Sequence, residues 1–380
     1  MNNIRSVTPA KLSVHVLRYP IERPVRTSFG TMYSRPAVFV RIEDKDGAHG
    51  WGEVWCNFPS CGAEHRAQLV ETVLQPLLLD REYADPAAAF AHLTAATEVL
   101  ALQSGEPGPM AQAIAGIDLA LWDLCARRAG QPLWEFLGGT SDAVQVYASG
   151  INPEDPVSMV KKKQAEGYRA FKLKLGFGEE RDLNNLRNAR DFVGPDTPLM
   201  ADANQGWDVH TAATMAAAMA ELNLAWLEEP LRVDRPFEEW QALSRQSAVP
   251  LAGGENYQGL GMFQAAIDAE FLQVVQPDLA KWGGISGCLP VIKAVREAGL
   301  RYCPHYLGAG IGLMASAHVL AAVDGMNHHG LLEIDANDNP LRTLLSAPLL
   351  KLDDGVAHLG RALGIGIEPD LQALQACCTP

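Results

Sequence analysis

The chain lacks the local signals of secreted, membrane and dinucleotide-binding proteins. Its seven cysteines form no CxxC pair, so neither a zinc site nor a disulfide framework is indicated, and we expect reduced thiols in a cytoplasmic protein. No apolar run approaches the roughly 18 residues of a membrane span, and the first residues carry no apolar segment typical of a signal peptide. No GxGxxG follows the first candidate strand, which leaves a dinucleotide-binding fold without support.

Basic residues are also scarce. The sequence has 31 Lys and Arg against 45 Asp and Glu, a formal net charge of −14, and no stretch concentrates basic side chains. A phosphate-binding surface needs such a stretch, so nucleic acid is not an expected partner. We expect part of the acidity to be carboxylates gathered around a metal ion. The length of 380 residues suits one large domain and a smaller one.

The first third of the chain, residues 1–137, has the pattern of strands followed by helices. Short β-like runs separated by turns occupy residues 12–54, and DKDG is a hairpin-type turn signal. From residue 63 to residue 137 apolar residues recur at helical spacing, and Gly130 and Pro132 mark a stop. This order predicts an α+β unit.

Residues 138–335 alternate short apolar runs with stretches long enough for a helix. Eight such units predict a (β/α)8-type barrel, with a doubly wound open sheet as the competing fold. Residues 336–380 lack the alternation, and we expect this tail to pack on the N-terminal unit because its leucines would otherwise expose apolar surface. The eight candidate strands are VQVYAS, AFKLKL, PLMADAN, AWLEEP, VPLAGGE, LQVVQPD, RYCPHY and GLLEID.

A titratable residue stands near the end of each of seven consecutive candidate strands. In a parallel barrel all carboxyl ends of the strands open on one face, so these side chains should converge. A lone acid at a strand end is often a helix N-cap and a lone lysine usually extends to water, but seven at intervals of 23 to 28 residues are hard to explain in that way. The seven positions are Lys172 with Lys174, Asp202, Glu228, Glu255, Asp278, His305 and Glu333.

Three carboxylates from consecutive strands, Asp202, Glu228 and Glu255, are the candidate metal ligands. All-oxygen ligands without Cys or His suit a hard divalent cation, so we expect Mg²⁺, with Mn²⁺ as a substitute. Glu229 adjoins Glu228, but successive side chains of a strand face opposite ways, so only one of the two can point inward.

Two acid/base groups are indicated beside the carboxylates. Lys172 and Lys174 share one face of a strand, where mutual repulsion and partial burial would leave one of them neutral near pH 7 and able to act as a base. Asp278 beside His305 would orient the imidazole and stabilise the imidazolium, giving a second acid/base from the opposite side. Glu333, if protonated, could donate a hydrogen bond to a developing oxyanion.

At these positions the sequence resembles the mandelate racemase subgroup of the enolase superfamily, over nearly the whole chain. The resemblance implies a modified (β/α)7β barrel of the TIM type under an α+β capping domain formed by the N- and C-terminal segments, and a homo-oligomer. The matching stretches, which are specific when taken together and in order, are GIDLALWDLCARRAGQPLWEFLGG, FKLKLG, ADANQGW, WLEEP, GGEN, QPDLAKWGG, PHYLGAGIG and LEIDANDNP.

The resemblance also implies roles for the metal-site residues. Asp202, Glu228 and Glu255 would bind Mg²⁺, which selects Glu228 over its neighbour. Asn204 would contact the substrate beside the metal.

For the acid/base groups, the resemblance implies that Lys174 is one base and that Lys172 tunes it and contacts the substrate carboxylate. His305 paired with Asp278 would be the opposing acid/base, and Glu333 would hydrogen-bond the substrate carboxylate. The implied reaction is abstraction of the proton next to that carboxylate, with charge on an enediolate intermediate.

One position separates the subgroups of this superfamily. Muconate lactonizing-like members carry a base lysine on the sixth strand, three places before the lysine of a KxGG motif. In this sequence Asp278 stands at that place and Lys281 is the downstream lysine. Cycloisomerases and dipeptide epimerases are therefore less expected.

Two reactions of a carboxylate substrate remain open. Dehydration of an acid sugar to a 2-keto-3-deoxy acid is favoured over racemisation or epimerisation, because the candidate capping loops at residues 21–35 and 51–65 are polar, with Arg26, Tyr33 and Asn57 as candidate substrate contacts. A Schiff-base aldolase and a non-catalytic sugar-acid binding protein are the less favoured classes, since neither explains three metal carboxylates together with intact acid/base groups.

Overall fold

The computed structural model describes residues 6–27, 30–324 and 330–378. His328 and His329, which the sequence places in a loop, lie outside these ranges. Within them, no helix is long and apolar enough to cross a membrane.

The N-terminal unit begins with an antiparallel sheet of three strands, β1 (Pro9–Arg26), β2 (Thr31–Asp44) and β3 (His49–Val54). The central strand β2 is continuously buried from residue 35 to residue 40, which matches its apolar run PAVFV. The turn predicted at DKDG joins β2 to β3, with Gly47 N donating to Asp44 O. A register shift in β1–β2 pairing between Pro20 and Val25 precedes the tip of the long hairpin.

Helices cover one side of this sheet, as the helical spacing predicts. A π-helical turn at Val70–Leu74 joins α1 to α2, and α4 is buried along most of its length because it packs directly on β3. The approach is so close that a Cβ atom at Gly52 would lie 1.9 Å from Gly116 O. The helices are α1 (Gly62–Leu69), α2 (Gln75–Leu78), α3 (Pro86–Ser104), α4 (Pro107–Arg128) and α5 (Leu133–Phe136).

All eight candidate strands of the second unit form one parallel sheet, in the hydrogen-bonded order β10-β9-β8-β7-β6-β5-β4-β11. Its two ends lie against each other, since Leu331 N donates to Cys303 Sγ at 3.4 Å and Tyr306 N donates to Glu333 Oε2 at 3.1 Å. The strands are β4 (Ala143–Ile151), β5 (Phe171–Lys174), β6 (Leu199–Asp202), β7 (Trp226–Glu228), β8 (Leu251–Gly253), β9 (Val274–Val275), β10 (Arg301–Tyr302) and β11 (Leu332–Asp335).

A helix follows each of the first seven barrel strands, so the (β/α)7β architecture is confirmed and the doubly wound alternative is wrong. The helices are α6 (Pro156–Ala165), α7 (Glu179–Val193), α8 (Val209–Ala218), α9 (Phe237–Gln246), α10 (Leu260–Asp268), α11 (Gly284–Glu297) and α12 (Gly310–Asp324).

The interior of the barrel is filled by one side chain from each strand or from the residue directly next to it, and these side chains form a buried cluster separate from the main core. Side chains of a strand alternate between its two faces, so the residue two positions further along also points inward. In seven of the eight cases this residue is polar. The polar layer consists of Ser149, Lys172, Asp202, Glu228, Gln276, His305 and Glu333. The cluster below it consists of Tyr147, Ala170, Met200, Trp226, Ala252, Val274, Cys303 and Leu331.

The C-terminal tail contacts both units. It contains α13 (Pro340–Thr343), a 3-10 turn at Ala347–Leu350, β12 (Val356–His358) and α14 (Leu371–Cys378). Strand β12 pairs antiparallel with the start of β4, and α14 packs against β1. Glu368 accepts hydrogen bonds from Trp51 Nε1 at 3.2 Å and Arg127 Nη1 at 2.9 Å.

The contact between β3 and α4 gives a testable prediction. The Gly52→Ala variant must move α4 away from the sheet, and we expect a loss of about 1–3 kcal/mol in the free energy of unfolding. The control is Gly261→Ala in α10, where a Cβ meets no atom within 4 Å and where alanine should be neutral or stabilise by up to about 1 kcal/mol. Urea titration measures both, and equal stability of the two variants would contradict the packing described.

Candidate active site

The centre of the polar layer is the ammonium group of Lys172, which is 1% exposed. Its Nζ atom lies 2.6 Å from Glu228 Oε1 and 2.8 Å from Glu333 Oε1, and 5.5 Å from the centre of the Tyr147 ring below. Burial alone would lower the pKa of Lys172, but the charges of Glu228 and Glu333 outweigh burial and raise this pKa well above its usual value. Lys172 therefore stays charged at neutral pH, and of the lysine pair only Lys174 remains a candidate base.

Lys174 lies one step further along the same face. Its Nζ atom donates to Asn204 Oδ1 at 2.9 Å, and Asn204 Nδ2 donates to Asp202 Oδ2 at 2.9 Å. The main chain of Asn204 also donates to Asp202 and has a positive φ of 44°, so the turn after β6 folds back on the carboxylate. Asn204 thus joins the candidate base to a candidate metal ligand.

The three carboxylates proposed as metal ligands lie on neighbouring strands. Asp202 and Glu228 are direct cross-strand partners, and Glu255 follows β8. Burial raises the pKa of Asp202, and the Glu255 charge adds to this effect against the lysine charges. Burial likewise raises the pKa of Glu228 to about 7, although Lys172 opposes it. A cation shared by carboxylates that repel one another in this way would stabilise their ionised forms.

Each of these carboxylates is also paired with a protein cation: Asp202 and Glu228 lie 3.9 Å and 2.6 Å from Lys172 Nζ, and Glu255 contacts His305 Nε2. Among the residues that the structure describes, no group of three His, Cys, Asp or Glu side chains has metal-binding spacing. The chemistry of the donor set, three buried carboxylate groups without sulfur, nevertheless fits a hard cation such as Mg²⁺. The donor set therefore suits the ion, and in the structure these carboxylates form ion pairs with Lys172 and His305.

His305 is held by carboxylates on both ring nitrogens. Nδ1 lies 2.7 Å from Asp278 Oδ2, Nε2 contacts Glu255, and Glu333 Oε2 is 3.8 Å away. Burial would lower the pKa of His305, but the charges of Glu255 and Glu333 and the bond with Asp278 raise it well above its usual value. These surroundings favour the imidazolium form of His305, which is the acid form of the predicted acid/base.

Glu333 accepts hydrogen bonds from Ser149 Oγ and from the main chain of Tyr306. Burial would raise the pKa of Glu333, but the charges of Lys172 and His305 lower it. This environment favours the ionised carboxylate, so it does not support the expectation that Glu333 is protonated and donates a hydrogen bond to an oxyanion.

Sequence reasoning missed several polar neighbours. Gln276 Nε2 donates to Glu228 Oε2 at 2.7 Å, and Trp226 Nε1 donates to the same oxygen at 3.1 Å. Both residues occupy inward positions two places from a predicted site residue, which is the signal that could have identified them. Glu229, which has a φ of 38°, accepts from Asn256 Nδ2 at 2.9 Å, and the same amide group also donates to Glu255 Oε1 at 2.9 Å.

The three candidate residues of the capping loops differ in position. Asn57 is buried and donates from Nδ2 to Leu307 O, which ties it to the loop after β10. Arg26 pairs with Glu154 at 3.5 Å, and both side chains are exposed. Tyr33 is 73% exposed. Of the three, the structure joins only Asn57 to the chain around the charged cluster, and contact of all three with substrate stays a prediction.

A cavity of about 120 Å³ adjoins the cluster and is lined by Glu255, Lys281 and Trp55 among others. A larger groove of about 500 Å³ lies between α6 and the C-terminal tail. The larger groove includes none of the charged residues of the polar layer, so its size alone does not make it the reaction site.

Comparison with known proteins matches both units to one family. The mandelate racemase / muconate lactonizing enzyme N-terminal domain matches residues 11–138, and the enolase C-terminal domain-like family matches residues 157–373. Among curated relatives, the D-galactarolactone cycloisomerase of Agrobacterium fabrum is 31% identical over 95% of this chain and 96% of that protein. The arabinonate dehydratase of Saccharolobus solfataricus is 28% identical over 87% of each chain.

Solved structures are also similar to this chain over nearly its whole length. The crystal structure of a mandelate racemase/muconate lactonizing enzyme from Bordetella bronchiseptica RB50 is 62% identical, with a TM-score of 0.94 over 98% of this chain and 100% of that one. A racemase from Streptomyces coelicolor A3(2), crystallised with bound magnesium, is 28% identical, with a TM-score of 0.85 over 98% and 100%. The expectation that Asp278 disfavours cycloisomerases finds no support here, because a cycloisomerase is among the most similar relatives.

The buried ammonium gives a second prediction. Replacing Lys172 by methionine leaves Glu228 and Glu333 without their cation, and we expect a loss of about 3–5 kcal/mol in unfolding free energy at pH 8 in EDTA. The loss should be smaller at pH 5. Burial raises the folded-state pKa of Glu228 from 4.5 to about 7, so the folded state binds this proton more tightly and stability falls as the pH rises through that window; removal of Lys172 steepens the fall.

The control is Lys293→Met, an exposed lysine 3.8 Å from Glu297, which should change stability by less than about 0.5 kcal/mol. Urea titrations at the two pH values measure both variants. A Lys172→Met loss independent of pH would contradict the electrostatic explanation.

Proposed function

Because the chain belongs to the mandelate racemase and muconate lactonizing enzyme family of the enolase superfamily, and is thus a lyase or isomerase, we propose that it removes the α-proton of a carboxylate substrate and dehydrates an acid sugar to a 2-keto-3-deoxy acid. The observation that carries this proposal is the buried imidazole of His305, which Asp278 holds in the polar layer while Lys174 lies one step further along the face that carries Lys172. Lys174 is the candidate base, and His305 in its protonated form is the candidate acid.

Mg²⁺ is part of the proposal, with Asp202, Glu228 and Glu255 as the residues that would hold it and Mn²⁺ as a substitute. When bound, the ion would supply positive charge that stabilises the carboxylate of the substrate as electrons move into it. The support is the donor set described above and the magnesium-bound relative.

The residues of the chain would divide the remaining work. Lys174 would take the α-proton, and Asn204, which already bonds both Lys174 and Asp202, would keep the base in place. Lys172, charged and buried, would attract the substrate carboxylate. His305 would give its proton to the departing β-oxygen, and Asp278 would hold the ring in the required orientation.

Two related outcomes share the first step. If the substrate has no leaving group, His305 can return a proton to the opposite face of the same carbon, which gives a racemase or epimerase. If the β-oxygen belongs to a ring, its departure opens the ring and the outcome resembles that of the cycloisomerase relative.

A Schiff-base aldolase would instead form an imine on a lysine, and borohydride trapping would reveal it. A sugar-acid binding protein without activity is the remaining class.

Homo-oligomer formation is also proposed. Near its C-terminal end helix α3 exposes Val99 and Leu102, which are three positions apart and so share a face, with exposed fractions of 69% and 67%. An apolar patch of this kind is typical of a subunit interface. Light scattering of the purified protein would measure the mass.

The reaction can be assigned with a library of aldonic acids, aldaric acids and their lactones in Mg²⁺ buffer prepared in D₂O. We expect a 2-keto acid, detected as its semicarbazone, from at least one of the open-chain acids. His305→Asn should lower kcat for dehydration by about 10²–10⁴-fold, because the leaving oxygen loses its acid. His358→Asn, an exposed histidine 3.1 Å from Asp142, is the control and should leave kcat unchanged.

Other results would overturn parts of this proposal. Deuterium at the α-carbon without keto acid would reject dehydration and support the epimerase, and keto acid from lactones alone would support ring opening. Neither product nor exchange with any acid of the library would reject α-proton chemistry on this substrate class.

The metal assignment has its own test. We expect Mg²⁺ to bind the EDTA-treated protein in a calorimetric titration and to raise its melting temperature. Asp202→Asn should weaken Mg²⁺ binding at least about tenfold, since the loss of even an outer partner of a metal ligand costs that much. Asp354→Asn, 80% exposed and paired with Arg169, is the control. Unchanged Mg²⁺ affinity in Asp202→Asn would show that the ion binds elsewhere.

A further inference from the structure

The end of β3 and the residues after it bridge two loops of the barrel. Trp55 N donates to Ala280 O at 3.4 Å, and the Lys281 ammonium lies 4.9 Å from the centre of the Trp55 ring. These contacts reach the loop after β9, which carries Asp278. The neighbouring residues Glu53 and Asn57 reach the loop after β10, which carries His305.

Glu53 is the main link to the His305 loop. Its side chain is 2% exposed, Oε1 accepts from Ala309 N at 2.6 Å, and Oε2 accepts from Gly312 N at 2.9 Å. These amides lie at the start of α12, where unpaired N–H groups and the helix dipole favour a carboxylate. A side chain of the N-terminal unit thus caps the barrel helix that directly follows the His305 loop.

The loop is shaped around this carboxylate. A Cβ atom at Gly308 would lie 2.8 Å from Glu53 Oε1 and 2.5 Å from Tyr306 OH, and one at Gly312 would lie 2.4 Å from the same hydroxyl. Residues 308–312, GAGIG, therefore wrap closely around Glu53 and the Tyr306 ring. The loop is also held at Leu307 O by Asn57 and at Gly308 O by Asn339 Nδ2, at 3.0 Å for the latter.

The link between Glu53 and His305 is short. Tyr306 follows His305 directly, and its main-chain N–H donates to Glu333 Oε2. Four side chains therefore fix this stretch of chain. Glu333 holds the residue directly after His305, and the other three, Asn57, Asn339 and Glu53, hold main-chain groups two to seven positions after it. A shift of the Glu53 contacts would move the main chain that carries the ring.

We propose that Glu53 is a positioning residue for His305: by holding the amides of Ala309 and Gly312 it fixes the loop that orients the imidazole against Asp278. Glu53 does not touch the reacting atoms. The role in turnover rests on the function proposed above, whereas the effect on the Asp278–His305 hydrogen bond does not.

A second buried carboxylate of the same unit provides a matched control. Asp123 accepts from Trp51 N at 2.8 Å, from Ile365 N at 2.7 Å and from Arg127 Nε at 2.8 Å. It is as buried as Glu53 and also joins two parts of the chain, but it ties the sheet to the C-terminal tail and not to the His305 loop. A purely structural effect should appear in both variants.

The first experiment measures the imidazole directly, in the metal-free protein without substrate. In protein labelled with ¹⁵N-histidine, the Nδ1–H resonance of His305 is identified by its absence in His305→Asn. In Glu53→Gln the new amide N–H₂ group faces a main-chain donor, so one of the two bonds is lost, and we expect the His305 resonance to shift or broaden. Asp123→Asn should leave it in place. An unchanged His305 resonance in folded Glu53→Gln would overturn the proposal.

Asn57→Ala is the second variant, for the case in which Glu53→Gln does not fold. It removes the bond to Leu307 O and leaves the Glu53 contacts, and a smaller change of the same His305 resonance is expected. Loss of the Asp278–His305 resonance in Asp123→Asn as well would mean that any loosening of the fold releases the ring, and would also overturn the proposal.

The second experiment uses turnover, once a substrate is known. Glu53→Gln should lower kcat for the step that needs His305 by about 10- to 100-fold, the usual cost of a small misplacement of a catalytic group, with little change in KM. Exchange of the α-proton through Lys174 should be nearly unaffected. Equal loss of both activities would contradict a role specific to His305, and absence of any substrate would reject the proposed function while the resonance measurement still stands.

Discussion

Burial of many carboxylates inside one barrel requires cations at the same depth, because an unpaired ionised group in a medium of low dielectric constant is strongly unfavourable. The Lys172 ammonium meets this requirement for Glu228 and Glu333, and the His305 imidazolium meets it for Glu255 and Asp278. The order of the polar layer depends on these two cations. The apolar layer below them, which includes the Tyr147 and Trp226 rings, closes the barrel to water and strengthens every charge interaction above it.

The same electrostatics separates groups that look alike in the sequence. Lys172 and Lys174 are two residues apart, but the first lies between two carboxylates and the second contacts an amide oxygen, that of Asn204. Their roles follow from these partners and not from the residue type. Glu228 and Glu229 are separated in the same way, since one faces Lys172 and the other Asn256.

The N-terminal unit contributes to the site through buried carboxylates placed at the starts of barrel helices. Asp118 accepts from the main chain of Ile285 and Ser286 at the start of α11, and Glu53 caps α12 in the same way. A carboxylate in this position satisfies main-chain donors that would otherwise lie unpaired at the interface. The buried pair of Arg35 and Asp335, 2.7 Å apart, fixes the long hairpin to the last barrel strand. The unit thus holds the loops above the barrel as well as covering them.

The sequence by itself determined the eight strands, the face on which their ends meet and the list of charged residues there, because side chains of a strand alternate with a period of two and strand ends recur once per βα unit. Asp202, Glu228 and His305 were found for that reason. Only the tertiary structure decided which charge pairs with which, so it alone separates Lys172 from Lys174 and keeps Glu333 ionised. It also revealed Glu53, Gln276 and Ser149, whose partners lie far away in the chain. Periodicity records the direction of a side chain, whereas pairing and pKa depend on distances that exist only after folding.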